Sequence, residues 1–127
     1  MPIVYDGSHQ LFKVPGMGPY DNNGYLLSCP ETNEGILIDT PAEPEKLLNA
    51  IGDVKVTAIL ITHNHQDHLL GFDEITSGVG VPVGIGTNDA SALPRPPELN
   101  LNDGDVIKFG NQEMQVLATP GHTDGAV

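Results

Sequence analysis

The run Val56-Thr57-Ala58-Ile59-Leu60-Ile61 constrains this chain more than any other feature. Side chains alternate across a strand, so a strand with one wet face carries a polar group at every second position. This run carries no charge and is rich in β-branched residues, the pattern of a strand covered on both faces. A covered strand needs a layer above and a layer below it, which makes a layered α/β arrangement the expected architecture. The chain has 127 residues with 39% hydrophobic content. That suffices for one domain burying roughly two-thirds of its unfolded-state surface, and not for two. A single domain over residues 1–127 is expected.

The flanking segments supply the layers. Leu11-Phe12-Lys13-Val14 ends at Pro15-Gly16, Gly24-Tyr25-Leu26-Leu27-Ser28-Cys29 stops at Pro30, and Gly35-Ile36-Leu37-Ile38-Asp39 follows Glu31-Thr32-Asn33-Glu34. Short apolar runs between turn residues predict a meander of strands. Thr40-Pro41-Ala42-Glu43 has capping-box spacing, and Leu47, Leu48 and Ile51 form an apolar stripe that Gly52 ends, so a short helix is expected over 43–51. A second helix is expected from Leu69, Leu70, Phe72 and Ile75, with Asp67 as its N-cap candidate, and a further strand from Val81-Pro82-Val83-Gly84-Ile85. Leu93-Pro94-Arg95-Pro96-Pro97 reads as an exposed loop, and Val106-Ile107-Lys108-Phe109 with Met114-Gln115-Val116-Leu117-Ala118 reads as a hairpin turning at Gly110-Asn111-Gln112. The fold class is α/β (α+β): a mixed β-sheet with flanking helices and a βαβ-like unit at its centre.

Immediately after the central run comes Thr62-His63-Asn64-His65-Gln66-Asp67-His68, which holds three of the five histidines. While the backbone stays extended, residues i and i+2 project to one side, so His63 and His65 present two imidazoles to one point. Two such rings buried without partners at the end of an apolar strand would cost free energy, which favours a ligand role. Neutral imidazole is a common zinc ligand, and a catalytic zinc takes three protein ligands and keeps one position for water. His122, in Thr119-Pro120-Gly121-His122, is the candidate third ligand, because Gly121 permits the sharp turn that would aim it inward. Asp67 and His68 would serve a second ion, for which zinc, iron or manganese is suited. Asp67 serves equally well as a helix cap, and Asp39 equally as the start of a turn or as support for the site. His9 stands alone and reads as a surface or half-buried residue.

Charge narrows the partners. Five Lys and Arg against seventeen Asp and Glu give a formal charge of −12, which repels a phosphate backbone or an anionic membrane face. The five cations, Lys13, Lys46, Lys55, Arg95 and Lys108, are too scattered to build a groove that tracks phosphates. A small-molecule substrate is expected, with neither nucleic acid nor a membrane as partner. Cys29 is the only cysteine, so an internal disulfide and a cysteine-rich metal module are excluded; it reads as a buried core thiol. The N-terminal residues show no basic stretch followed by an apolar run, and a cytoplasmic location is expected.

The segment 62–68, followed by Gly71, resembles the metal-binding signature of the metallo-β-lactamase superfamily, which includes glyoxalase II-like thioesterases. Asp39 at the end of an apolar strand resembles that family's first acidic motif, and Thr119-Pro120-Gly121-His122-Thr123 with Gly125 resembles its third. The resemblance implies an αβ/βα sandwich and a site for one or two metal ions at its edge. It also implies zinc-dependent hydrolysis of an ester, thioester or lactone by a metal-bound hydroxide, with Asp67 orienting the water. Members of the family continue beyond the third motif into a second βα half that supplies a bridging Asp and a final His, so the sequence resembles the N-terminal half of such a domain. The other reading is a non-catalytic metal-binding half-domain. The helices cover only one face of the sheet, and a homodimer is the expected remedy for the other.

Overall fold

The structure, a computed structural model, describes residues 3–6, 10–17, 22–62, 69–94, 96–119 and 125–127. Its elements in chain order are β1 (Ile3–Asp6), β2 (Gln10–Met17), β3 (Asn22–Cys29), β4 (Glu34–Ile38), α1 (Pro44–Ile51), β5 (Lys55–Ile61), α2 (Phe72–Val79), β6 (Val83–Gly86), a 3-10 helix (Thr87–Ala92), β7 (Leu99–Leu101), β8 (Val106–Phe109) and β9 (Gln112–Gln115). Strands β1 to β7 form one mixed sheet in sequence order, and β8–β9 form a separate hairpin. The first four strands are antiparallel neighbours; β4, β5, β6 and β7 run parallel, with α1 and α2 as crossovers.

Strand β5 is as buried as its sequence requires: Val56, Ala58, Ile59, Leu60 and Ile61 all lie inside. A register shift against β4 leaves Thr57 between the pairs Gly35–Val56 and Ile36–Ala58. Such a bulge re-aims the side chains that precede it. Val56 therefore joins Ile59 and Ile61 on the helix face, with Leu47 of α1 and Phe72 and Ile75 of α2. Ala58 and Leu60 face the other way, onto Leu27, Ile36, Leu101, Phe109 and Val116.

That second cluster revises the expectation of an uncovered face. Helices do cover one side only, but the β8–β9 hairpin folds under the other and seats Phe109, only 2% exposed, in the cluster. Its turn docks on the β3–β4 turn. Gly110 has φ +61°, and a Cβ there would overlap the Thr32 hydroxyl and crowd Cys29. Asn111 donates from Nδ2 to Glu31 Oε2 at 2.8 Å. Cys29 is buried and free, as expected, and the Thr32 hydroxyl together with the Asn111 backbone holds its thiol below the ordinary range.

Several local expectations are corrected. No capping box forms at Thr40 and Glu43: Glu43 is itself the N-cap of α1, in a left-handed conformation at φ 57° and without a side-chain cap bond. Helix α2 begins at Phe72 with Gly71 as N-cap, later than the sequence suggests, and Asp67 lies outside the described residues. Strands β1 and β7 went unanticipated, and β2 runs on through Pro15-Gly16 with a register shift there, as the missing proline N–H requires. The return strand β9 starts two residues before the expected Met114, although Val116 N–H still bonds Asp105 O at 2.7 Å.

Among the described residues no helix is long and apolar enough to cross a membrane. If the hairpin is structural cover, Phe109→Ala costs about 3–5 kcal/mol in urea unfolding, while Val106→Ala, at a half-exposed position of the same strand, stays within about 0.5 kcal/mol.

Candidate metal centre

The site residues inferred from sequence fall almost entirely on two segments outside the described residues. His63, His65, Asp67 and His68 lie in 63–68 and His122 in 120–124, as His9 lies in 7–9. Of the candidates only Asp39 is described, and among the described residues no group of three His, Cys, Asp or Glu is placed to hold a metal. What the structure does describe is how the ends of both segments are held.

Parallel strands deliver their following residues to one edge of a sheet, and ligands bind outside the carboxyl ends of such strands. Here β4 leads to Asp39, β5 to Thr62 and β6 to the 3-10 helix containing Asp89. Asp39 is 3% exposed and left-handed, φ 67°. Its backbone N–H continues the sheet to Leu60 O at 2.8 Å. Its carboxylate then accepts two groups of Thr62: the backbone N–H on Oδ1 at 2.8 Å, and the hydroxyl on Oδ2 at 2.9 Å. Left-handed backbone costs a non-glycine residue about 1–2 kcal/mol, least for Asp and Asn. Hydrogen bonds to a charged group contribute about 1.5–3 kcal/mol and outweigh it.

Thr62 is thereby fixed as the entry to 63–68. The exit is fixed at Gly71, whose N–H bonds Thr40 O at 2.9 Å and whose Cα lies so close to the Pro41 carbonyl that a Cβ would overlap it. Thr62 also accepts the Val127 N–H on its carbonyl at 2.9 Å. Thr119 N–H bonds Ala126 O at 2.8 Å, and Gly125 N–H bonds Asp89 Oδ1 at 2.9 Å. The chain entering and leaving 120–124 is thus tied beside the residue from which 63–68 departs. The structure brings the ends of the two histidine-bearing segments to one sheet edge.

The donors on those segments include four imidazoles and the Asp67 carboxylate, a nitrogen-and-oxygen set that fits a borderline divalent ion such as zinc, iron or manganese. Beside this edge runs an apolar cleft of about 260 Å³, lined by Ile38, Leu60, Leu101, Met114, Val116 and Val127 among others. Sequence reasoning missed Asp89, which is 1% exposed. Nothing in Thr87-Asn88-Asp89 distinguishes it from a surface turn, and its partner lies 36 positions away.

The sequence profile described as "Metallo-beta-lactamase superfamily" matches residues 17–127. The chain belongs to that superfamily. An uncharacterised protein of Aquifex aeolicus (strain VF5) is 36% identical over 138 residues, covering 91% of this chain and 62% of that protein. A hydroxyacylglutathione hydrolase of Cereibacter sphaeroides is 34% identical, covering 93% of this chain and 46% of the relative. Another, of Bradyrhizobium sp. (strain ORS 278), is 42% identical over 81% of this chain and 40% of its own length. The chain therefore spans about half the length of the curated relatives it matches. Among solved structures, the B3 metallo-beta-lactamase BLEG-1 superposes with a TM-score of 0.82 at 24% identity, covering 91% of this chain and 64% of that one, a likeness of fold. ETHE1 from Myxococcus xanthus superposes with 0.73 at 26% identity, over 91% of this chain and 51% of its own.

If Asp39 sets the entry to 63–68, Asp39→Ala destabilises the metal-free protein by about 2–4 kcal/mol in chemical unfolding, combining an orphaned Thr62 N–H with left-handed alanine. Asp39→Asn, which keeps an acceptor oxygen and tolerates φ 67°, loses less than half as much.

Proposed function

We propose that this chain is a metal-dependent hydrolase of the superfamily, with His63, His65 and His122 as ligands of one zinc ion and thioesters as its principal substrates, esters and lactones being related ones. The observation that carries the reading is the bond from Val127 N–H to Thr62 O, which joins the ends of the two donor-bearing segments. The relatives named hydroxyacylglutathione hydrolases favour a thioester, since an acyl group on glutathione sulfur is one, and a small-molecule substrate with it. A bound divalent cation would supply Lewis acidity, lowering the pKa of its water to about 7 and polarising the carbonyl. Asp67 would accept a hydrogen bond from the attacking water and orient it, and Asp67 and His68 would serve a second ion. Asp39 holds Thr62 and so the start of the segment that carries the ligands. The apolar cleft beside this edge gives the acyl portion of a substrate a surface that excludes water. A cytoplasmic setting belongs to the same reading, with Cys29 kept reduced.

Zinc content and turnover decide between this and a binding module. Protein purified without chelator is expected to carry about one zinc per chain and to hydrolyse S-acyl glutathiones, both lost in His63→Ala. Stoichiometric zinc with no hydrolysis of thioesters, esters or lactones would favour the non-catalytic half-domain. Absence of any transition metal, with none taken up on addition, would overturn the reading.

We also propose that a second copy of the chain covers the cleft and makes a homodimer, the hairpin having reduced but not closed the second face. Sedimentation equilibrium at micromolar concentration is expected to give about twice 13.5 kDa, and a monomer would refute it.

A further inference from the structure

We infer that Asp89 is a positioning residue for the histidine segment 120–124, acting through the backbone of Gly125. The inference rests on the metal-dependent reading above and adds to it a residue that neither the histidine signature nor the acidic motif contains.

Asp89 sits in the 3-10 helix that follows β6, with 1% of its surface exposed. A carboxylate so enclosed is costly unless hydrogen-bonded. Its Oδ1 accepts the Gly125 N–H at 2.9 Å in a buried bond. The contact is closer than any side chain would permit. A Cβ on Gly125 would come within 2.6 Å of Asp89 N and 2.8 Å of its Cγ, and a Cβ on Gly86 would overlap the Gly125 carbonyl. Two glycines and one carboxylate therefore define where the chain resumes after residue 124.

The neighbouring tethers are made by backbone alone: Thr119 N–H to Ala126 O and Val127 N–H to Thr62 O. Any residue but proline at the donor positions would supply the same groups, whereas the Gly125 bond depends on one side chain. His122 lies three residues before Gly125. Metal–ligand distances tolerate deviations of only about 0.2 Å, so the point at which the chain resumes at Gly125 would bear on how tightly His122 could hold an ion. Asp89 would thus act on His122 through the backbone.

Two readouts on the metal-free and zinc-titrated protein test this: amide hydrogen exchange of peptides spanning 117–127, and zinc affinity by competition with a chromophoric chelator. Asp89→Ala is expected to speed exchange at Gly125 and Val127 while the β5 amides stay protected, and to weaken zinc binding at least tenfold. Asp89→Asn keeps an acceptor oxygen and is expected to recover most of both. If Asp89→Ala also deprotects β5, Gly125→Ala replaces it as the probe, since it keeps the carboxylate and drives a methyl against it; the same selective loss is expected. Zinc affinity unchanged in whichever variant folds would overturn the inference. If the unaltered protein takes up no zinc while Gly125 protection still depends on Asp89, the tether stands and the metal-dependent reading falls.

Discussion

The bond between the Asp39 carboxylate and Thr62 is the constraint from which the candidate site is organised. It joins the carboxyl ends of two adjacent parallel strands, β4 and β5, at the point where each leaves the sheet. Without it Thr62 would be the frayed end of a strand, and the following segment would start from a variable direction. With it, the Thr62 carbonyl is fixed as well, and that carbonyl receives Val127. One buried side chain therefore sets two segments that are far apart in sequence. The left-handed backbone at Asp39 belongs to the same arrangement, since it turns the chain out of β4 while keeping the carboxylate aimed at its neighbour.

The sheet can hold such an edge because its central strand packs into a buried cluster on each face. The bulge at Thr57 divides the apolar run between two clusters, one under the helices and one over the hairpin. A register slip of one residue would exchange the faces of the whole strand and break up both clusters. Burial continues to the end of β5: Ile59 and Ile61 have no exposed surface, and Thr62 follows at once.

How much of this could be read from the sequence depends on whether the governing interaction is local. The buried central strand, the βαβ unit, the amphipathic helix and the hairpin all follow from periodicity and turn residues, and the two histidine segments stand out by composition and spacing. The failures share a cause. Thr40-Pro41-Ala42-Glu43 satisfies a local capping rule, but Thr40 is wholly buried and its carbonyl is engaged by Gly71, so the cap moves to Glu43. Strand β7 is three residues that become a strand only because Gly84 to Gly86 offer them a ladder. Asp89 is invisible for the same reason, its partner being a glycine near the other end of the chain. Tertiary contacts decided each case, and no window of the sequence contains them.

Charge acts in this chain at two ranges. The formal −12 acts at long range on partners, repelling polyphosphate, but at physiological ionic strength it is screened within about 8 Å. The carboxylates that matter to an ion at this edge are those that water does not screen. Asp39 bonds the residue that precedes 63–68, and Asp89 bonds the residue that follows 120–124; both are almost completely enclosed. Each accepts hydrogen bonds from groups of the chain it holds, Thr62 for Asp39 and Gly125 for Asp89. The task of both carboxylates is geometric: one holds the chain where it enters 63–68 and the other holds it where it leaves 120–124.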